Sequence, residues 1–149
     1  MSVAQFVVEI AADPSSRERG LMDRRAFPSG TNGMLFLFDV PQAGDVAFWN
    51  KRTYLPLDLL LIDEQGTIVM MIPMQTIEET GGRVTSYPAH TPYIAALELQ
   101  RGLVGPEVVG GTLITSPQRL HDPQGLHVRR GFLSPYGLPD GRRLIAIVT

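Results

Sequence analysis

Residues 48–63 read Phe-Trp-Asn-Lys-Arg-Thr-Tyr-Leu-Pro-Leu-Asp-Leu-Leu-Leu-Ile-Asp, and they constrain the fold more than any other stretch. Leu57 to Ile62 is a short, strongly apolar run, which suits a buried strand. Pro56 has no N–H to give to a ladder, so Tyr54-Leu55-Pro56 must break the chain ahead of that run. Before the break, Asp45 to Thr53 is expected to form a strand. Alternation then puts Trp49, Lys51 and Thr53 on one face and Phe48, Asn50 and Arg52 on the other. Trp49 is the only tryptophan and Lys51 the only lysine. Asp58 lies inside the apolar run, where an unpaired carboxylate is costly. Lys51, Arg52 and Thr53 are its expected partners.

The rest of the chain repeats this texture of short apolar runs between turns. Gln5 to Ala11 predicts a strand with Phe6, Val8 and Ile10 on one face. Asp13-Pro14 predicts a helix start, Asp13 as N-cap and Pro14 in the first turn, with Gly20 ending the helix after Arg19. Arg24 to Asn32 reads as loop, Gly33 to Phe38 as a buried strand, and Val40 to Gly44 as a turn. Asp63-Glu64-Gln65-Gly66 is a hairpin signal, with Thr67 to Met74 as the return strand. Ile77 to Thr91 reads as a long loop. Tyr93 to Leu99 and Val108 to Thr115 are further strands, the second weakened at Gly110-Gly111. Beyond Thr115, Ser116 to Gly125 reads as a polar linker, followed by possible strands at Gly125 to Phe132 and Arg142 to Val148. Strands at short spacing with 15 glycines and 12 prolines favour an all-β fold.

A length of 149 residues fits one domain with a real core. A formal net charge of −2 gives no reason to expect nucleic acid as partner. With no cysteine, disulfides and thiolate chemistry are out of reach. The first residues carry no basic and apolar export signal, and no run approaches the length of a membrane span. The expectation is a soluble chain with no membrane partner, cytoplasmic or particle-associated. Charge divides unevenly. Residues 1–115 hold eight basic and thirteen acidic groups, and residues 116–149 hold five basic and two acidic. An acidic body with a basic tail suggests a tail lying against a body, its own or a neighbour's.

No motif writes a reaction. His90, His121 and His127 lack metal-ligand spacing, so no metal is expected, and no Gly-rich phosphate loop or nucleophile elbow occurs. No cofactor is implied. Met70 and Met71 must face opposite ways on a strand, so the Met22, Met34, Met70, Met71 and Met74 set reads as core. Asp58 and Glu98 each sit within apolar strands. Two such carboxylates could work as an acid–base pair at set separations, although partly buried carboxylates are more often structural.

Several stretches together resemble the uncharacterised domain-of-unknown-function-192 family of bacteria and archaea. They are Val8-Glu9-Ile10-Ala11, Arg19-Gly20-Leu21-Met22, Gly33-Met34-Leu35-Phe36, Trp49 through Asp63, Leu97-Glu98-Leu99 and Gly102 to Val109, spanning about residues 5–115. The resemblance implies a compact β-sandwich or jelly-roll-like domain and no established activity. The family usually shows Trp-Met-Lys-Asn-Thr where this chain has Trp49-Asn50-Lys51-Arg52-Thr53, so Asn50 and Arg52 depart from the pattern.

These readings give an all-β, sandwich or jelly-roll-like fold with one short N-terminal helix. Residues 1–115 form the domain, and 116–149 form an arm or added strands that are not an independent domain. The first functional expectation is a non-enzymatic module that self-associates or docks on a larger assembly, for example a cement or decoration subunit of a virion. Arg129, Arg130, Arg142, Arg143, Leu144, Ala146 and Val148 would lie at its interface. The alternative is a small-ligand or carbohydrate-binding domain, with hydrolysis as an extension, using Trp49, Lys51, Thr53, Asp58 and Glu98. The first predicts a tail-mediated interface, and the second a concave pocket with Trp49 exposed in it.

Overall fold

The structure, a computed structural model, describes residues 2–115 and 142–149. The chain is all-β with one short helix. The strands are β1 (Val3–Ala11), β2 (Gly33–Gln42), β3 (Ala47–Trp49), β4 (Leu57–Ile62), β5 (Ile68–Met74), β6 (Ser86–Pro88), β7 (Tyr93–Gln100), β8 (Thr112–Ile114) and β9 (Arg143–Val148). The helix, α1, covers Pro14–Arg19 between β1 and β2. Its start is as the sequence predicts: Asp13 Oδ1 accepts from the Ser16 N–H at 2.8 Å, and Gly20 ends it at φ 47°. No helix among the described residues is long and apolar enough to cross a membrane.

Seven strands form one sheet in the order β5-β4-β7-β2-β1-β9-β8, and β3 pairs with β6 in a separate ribbon. Among the described strands only the β1–β2 pairing is parallel, which the connection through α1 makes possible. The sheet curls until its ends meet. Thr67 bridges Thr112, and the Leu113 N–H donates to the Gly66 carbonyl at 2.9 Å. The Gly110 N–H donates to the Ile68 carbonyl at 2.8 Å, so residues beside β8 lie against the start of β5.

Curling gives the sheet an inner and an outer apolar face. Inside are Phe6, Val8, Leu35, Leu60, Leu97 and Ile145, with others. Outside, Leu57, Leu59 and Leu61 of β4 join Met34, Phe36 and Ala96, under the β3–β6 ribbon. β4 is therefore buried on both faces, which explains its almost unbroken apolar sequence. Met71 packs with the inner cluster and Met70 with the outer, the opposed facing that their adjacency dictates.

Of the two places open to the tail, its own body or a neighbour's, its described residues take the first. Residues Arg143–Val148 do add a strand to a sheet edge, but the sheet is the chain's own. Phe6 pairs with Ile145 on one side of β9, and Leu113 pairs with Ile147 on the other. Ile145, Ala146 and Ile147 are buried and Arg143 is 9% exposed. Leu144, Ala146 and Val148, expected at an interface, thus belong to a strand paired on both sides within one molecule. Arg142 donates to the Ser29 carbonyl at 3.2 Å. Arg129, Arg130, the linker and the Gly125 to Phe132 stretch lie outside the described residues.

Candidate functional site

The stretch around Trp49 folds differently from the strand expected over Asp45 to Thr53. β3 ends at Trp49, and residues 50–53 form a tight turn closed by the Thr53 N–H on the Asn50 carbonyl at 3.0 Å. Asn50 causes the break. It is fully buried, and its amide gives Nδ2–H to Thr80 Oγ1 at 3.0 Å while its Oδ1 accepts from the Thr85 N–H at 2.7 Å. A side chain that satisfies loop 76–85 in this way competes directly with strand continuation. Asn50 is thus a hub holding the turn to that loop. Replacing it with Leu should lower stability by about 1–3 kcal/mol, because the part-buried Thr85 N–H loses its acceptor. A urea midpoint equal to wild type would contradict that role.

Arg52 sits at φ 48°, in the left-handed region, and Asp23 at φ 64°. Asn tolerates that region better than most residues, which fits the Asn that the family pattern carries at position 52. In this chain a forked ion pair holds the turn instead: Arg52 Nε donates to Asp23 Oδ1 at 2.9 Å and its Nη2 donates to Oδ2. The Asp23 N–H also donates to the Arg52 carbonyl at 2.7 Å. The segment after α1 and the turn after β3 are thereby pinned together.

Between these two segments and the outer face of the sheet lies a cavity of about 330 Å³. The end of α1 and its following turn form one wall, from Arg17 to Met22. Gly20 permits the close approach, since a Cβ there would lie 3.3 Å from the Phe36 ring. Aromatic rings form much of the rest. Phe36 meets Phe48 edge to face at 5.3 Å between centroids, and Phe38 meets Tyr93 likewise at 5.6 Å. Trp49 stands at the wall with 41% of its surface exposed, and Lys51 Nζ lies 5.0 Å from its ring centre. Thr53 also lines the cavity.

Glu98 lines the same cavity from β7. It lies between Met34 of β2 and Leu59 of β4, its register partners on the two sides. It is 5% exposed and makes no hydrogen bond or ion pair among the described residues. Burial pushes its carboxyl up to about 8. β2 and β7 are in intimate contact here: a Cβ on Gly33 would fall 1.9 Å from the Glu98 carbonyl oxygen. Burial likewise pushes the Tyr93 phenol up to about 12, and its hydroxyl has no partner among the described residues.

Asp58 does not belong to this site. Register pairs it with Leu99, on the inner side of the sheet, whereas Glu98 pairs with Leu59 on the outer side. An acid–base pair of the two is therefore ruled out by strand alternation. Nor is Asp58 held by residues 48–53. Its Oδ2 accepts from the Gly102 N–H at 3.0 Å, a backbone donor in the turn after β7. Of the five candidate ligand residues, Trp49, Thr53 and Glu98 line the cavity, Lys51 lies over the Trp49 ring, and Asp58 is elsewhere. Phe36, Phe38, Phe48, Tyr93 and Arg17 complete the cavity without having been singled out by sequence. The spacing of Phe36 and Phe38 on one strand face was the available signal. Among the described residues, no three His, Asp or Glu converge on a metal-sized site.

Fold and cavity together define a small curled-sheet β-domain with a ligand-sized aromatic pocket on its outer face. The chain belongs to the DUF192 family, described as an uncharacterized ACR, whose model matches residues 1–111. Two solved structures are similar. One, from Sinorhizobium meliloti and titled a "putative transcription regulator", is 34% identical, with 68% of this chain and 84% of that one covered and a TM-score of 0.53. The other, a protein of unknown function from Novosphingobium aromaticivorans, is 25% identical, with 66% and 73% covered and a TM-score of 0.54. No functionally curated protein matches.

Proposed function

We propose that this chain is a small-ligand-binding domain whose site is the aromatic cavity beside Trp49, with Glu98 in its wall. The observation that carries the reading is the buried Glu98 carboxyl, which has no partner among the described residues. A buried carboxyl without a partner destabilises a fold, and such groups concentrate where a ligand or reactant completes them. The cavity volume falls at the low end of the range for small-molecule sites, and its apolar walls with few polar groups match their usual make-up. Binding without catalysis is the simpler reading, since the second carboxylate, Asp58, is on the other side of the sheet. The self-associating or assembly-docking alternative leaned on a tail strand offered to a partner, and β9 is already paired on both edges within the chain.

Trp49 is the reporter. Titration with a panel of sugars, nucleotides, organic anions and organic cations is expected to give a saturable change in its fluorescence for at least one class. Phe48→Ala, which opens the wall, should weaken that response by about tenfold or more. A flat response across all four classes would contradict the reading.

A further inference from the structure

The cavity also indicates the chemistry of what fills it, an inference that rests on the ligand-binding reading. We propose that the ligand is an organic ammonium with an apolar body, its nitrogen set against the Glu98 carboxylate and its body among the rings of Phe36, Phe48 and Tyr93.

Three observations converge on this. The first is the missing countercharge. Glu98 is 5% exposed, and its register neighbours Met34 and Leu59 carry no charge. Among the described lining residues the other charged groups are Arg17, Glu18 and Arg19, all on α1, and none of them pairs with Glu98. Arg17 is otherwise engaged, donating to the Leu37 carbonyl at 2.9 Å with its guanidinium carbon 5.1 Å from the Phe38 ring centre. A ligand cation would supply the countercharge that the described residues do not.

The second is the wall. Aromatic faces carry negative partial charge, and cations bind to them best where water is excluded. The protein already uses this affinity at the cavity edge, where Arg17 lies over Phe38 and Lys51 over Trp49. The third is the donor count. A metal ion needs several hard oxygen ligands, and Glu98 is the sole carboxylate among the lining residues outside α1. One carboxylate on the sheet floor with several aromatic rings suits a single ammonium.

Proton balance follows from burial. In the free protein Glu98 holds its proton at pH 7, since burial has raised it to about 8. An ammonium can pair only with the ionised form, so binding transfers that proton to the buffer. A neutral ligand that hydrogen-bonds the intact acid releases none.

The test uses 2-phenylethylammonium and its neutral counterpart 2-phenylethanol, read by Trp49 fluorescence and by calorimetry at pH 7 in two buffers of different ionisation enthalpy. The ammonium is expected to bind about tenfold or more tightly than the alcohol, with close to one proton released per site. Glu98→Gln should remove that preference while still binding the alcohol. Proton release is measured on the unaltered protein, so the inference remains testable if the variant folds poorly. Equal binding of both compounds, or ammonium binding without proton release, would overturn the ammonium assignment and leave the pocket standing. No response to either compound or to the wider panel would overturn both.

Discussion

Deleting residues 143–149 is expected to unfold the domain. β9 lies between β1 and β8, so its loss strips six register pairs from β1 and opens the inner core. Ile145 and Ile147 both belong to that core. Burying an isoleucine side chain contributes about 1.5–3 kcal/mol, and the ladder hydrogen bonds on both edges go with it. A domain of this size has about 5–15 kcal/mol in all. The truncated chain should therefore lose its cooperative thermal transition and aggregate through the freed edges. Ile145→Ala offers a graded version and should cost about 2–5 kcal/mol. A chain ending at residue 115 that melts cooperatively with an unchanged β spectrum would show that the tail is an accessory. The family match ends at residue 111, so this experiment also asks whether a segment beyond the matched region has become part of the core.

The second large effect is the pH dependence of stability. Between the ordinary carboxylate value of 4.5 and about 8, the folded protein holds a proton on Glu98 that the unfolded chain has released. Where the native state binds more protons, stability falls as pH rises. The Glu98 contribution is thus fully favourable below about pH 4.5, declines across the window, and levels off above pH 8. The total decline is on the order of 5 kcal/mol. Asp13, Asp23 and Glu79 are all shifted downward by hydrogen bonds or ion pairs, so their titrations lie at the acid end, outside this window. Glu98→Gln should flatten the curve and leave the variant more stable than wild type at pH 8. Urea midpoints of the two proteins from pH 5 to pH 8.5 provide the comparison. Parallel curves would mean that the carboxyl is hydrated in the folded state.

Much of the fold is legible because local chemistry and global packing agree. Asp13-Pro14 and Gly20 bracket α1, and the Gly66 turn joins β4 to β5. The apolar Leu57 to Ile62 run is a strand buried on both faces. The failures have physical causes. Asp45 to Thr53 alternates well enough for a strand, but Asn50 finds better partners 26 to 35 residues away, which no local pattern records. The partner of Asp58 is a backbone N–H, 44 residues along, and backbone donors leave no mark in sequence. The tail's destination depends on which sheet edge is free, a property of topology and not of the tail's own residues. The site was half legible. Trp49, Lys51, Thr53 and Glu98 drew notice through rarity or misplaced polarity. Phe36, Phe48 and Tyr93 look like ordinary core residues until the curl of the sheet places them around one cavity.

The central claim is that Glu98 is a buried carboxyl, without a partner among the described residues, that a ligand completes. Carbon-13 NMR of its side-chain carboxyl, followed from pH 4 to pH 10, tests this directly. The free protein should show the acid form persisting to near pH 8, and saturation with 2-phenylethylammonium should convert it to carboxylate at pH 7. A carboxyl that ionises near 4.5 in the free protein, or keeps its proton at pH 7 when the ammonium is bound, would contradict the account.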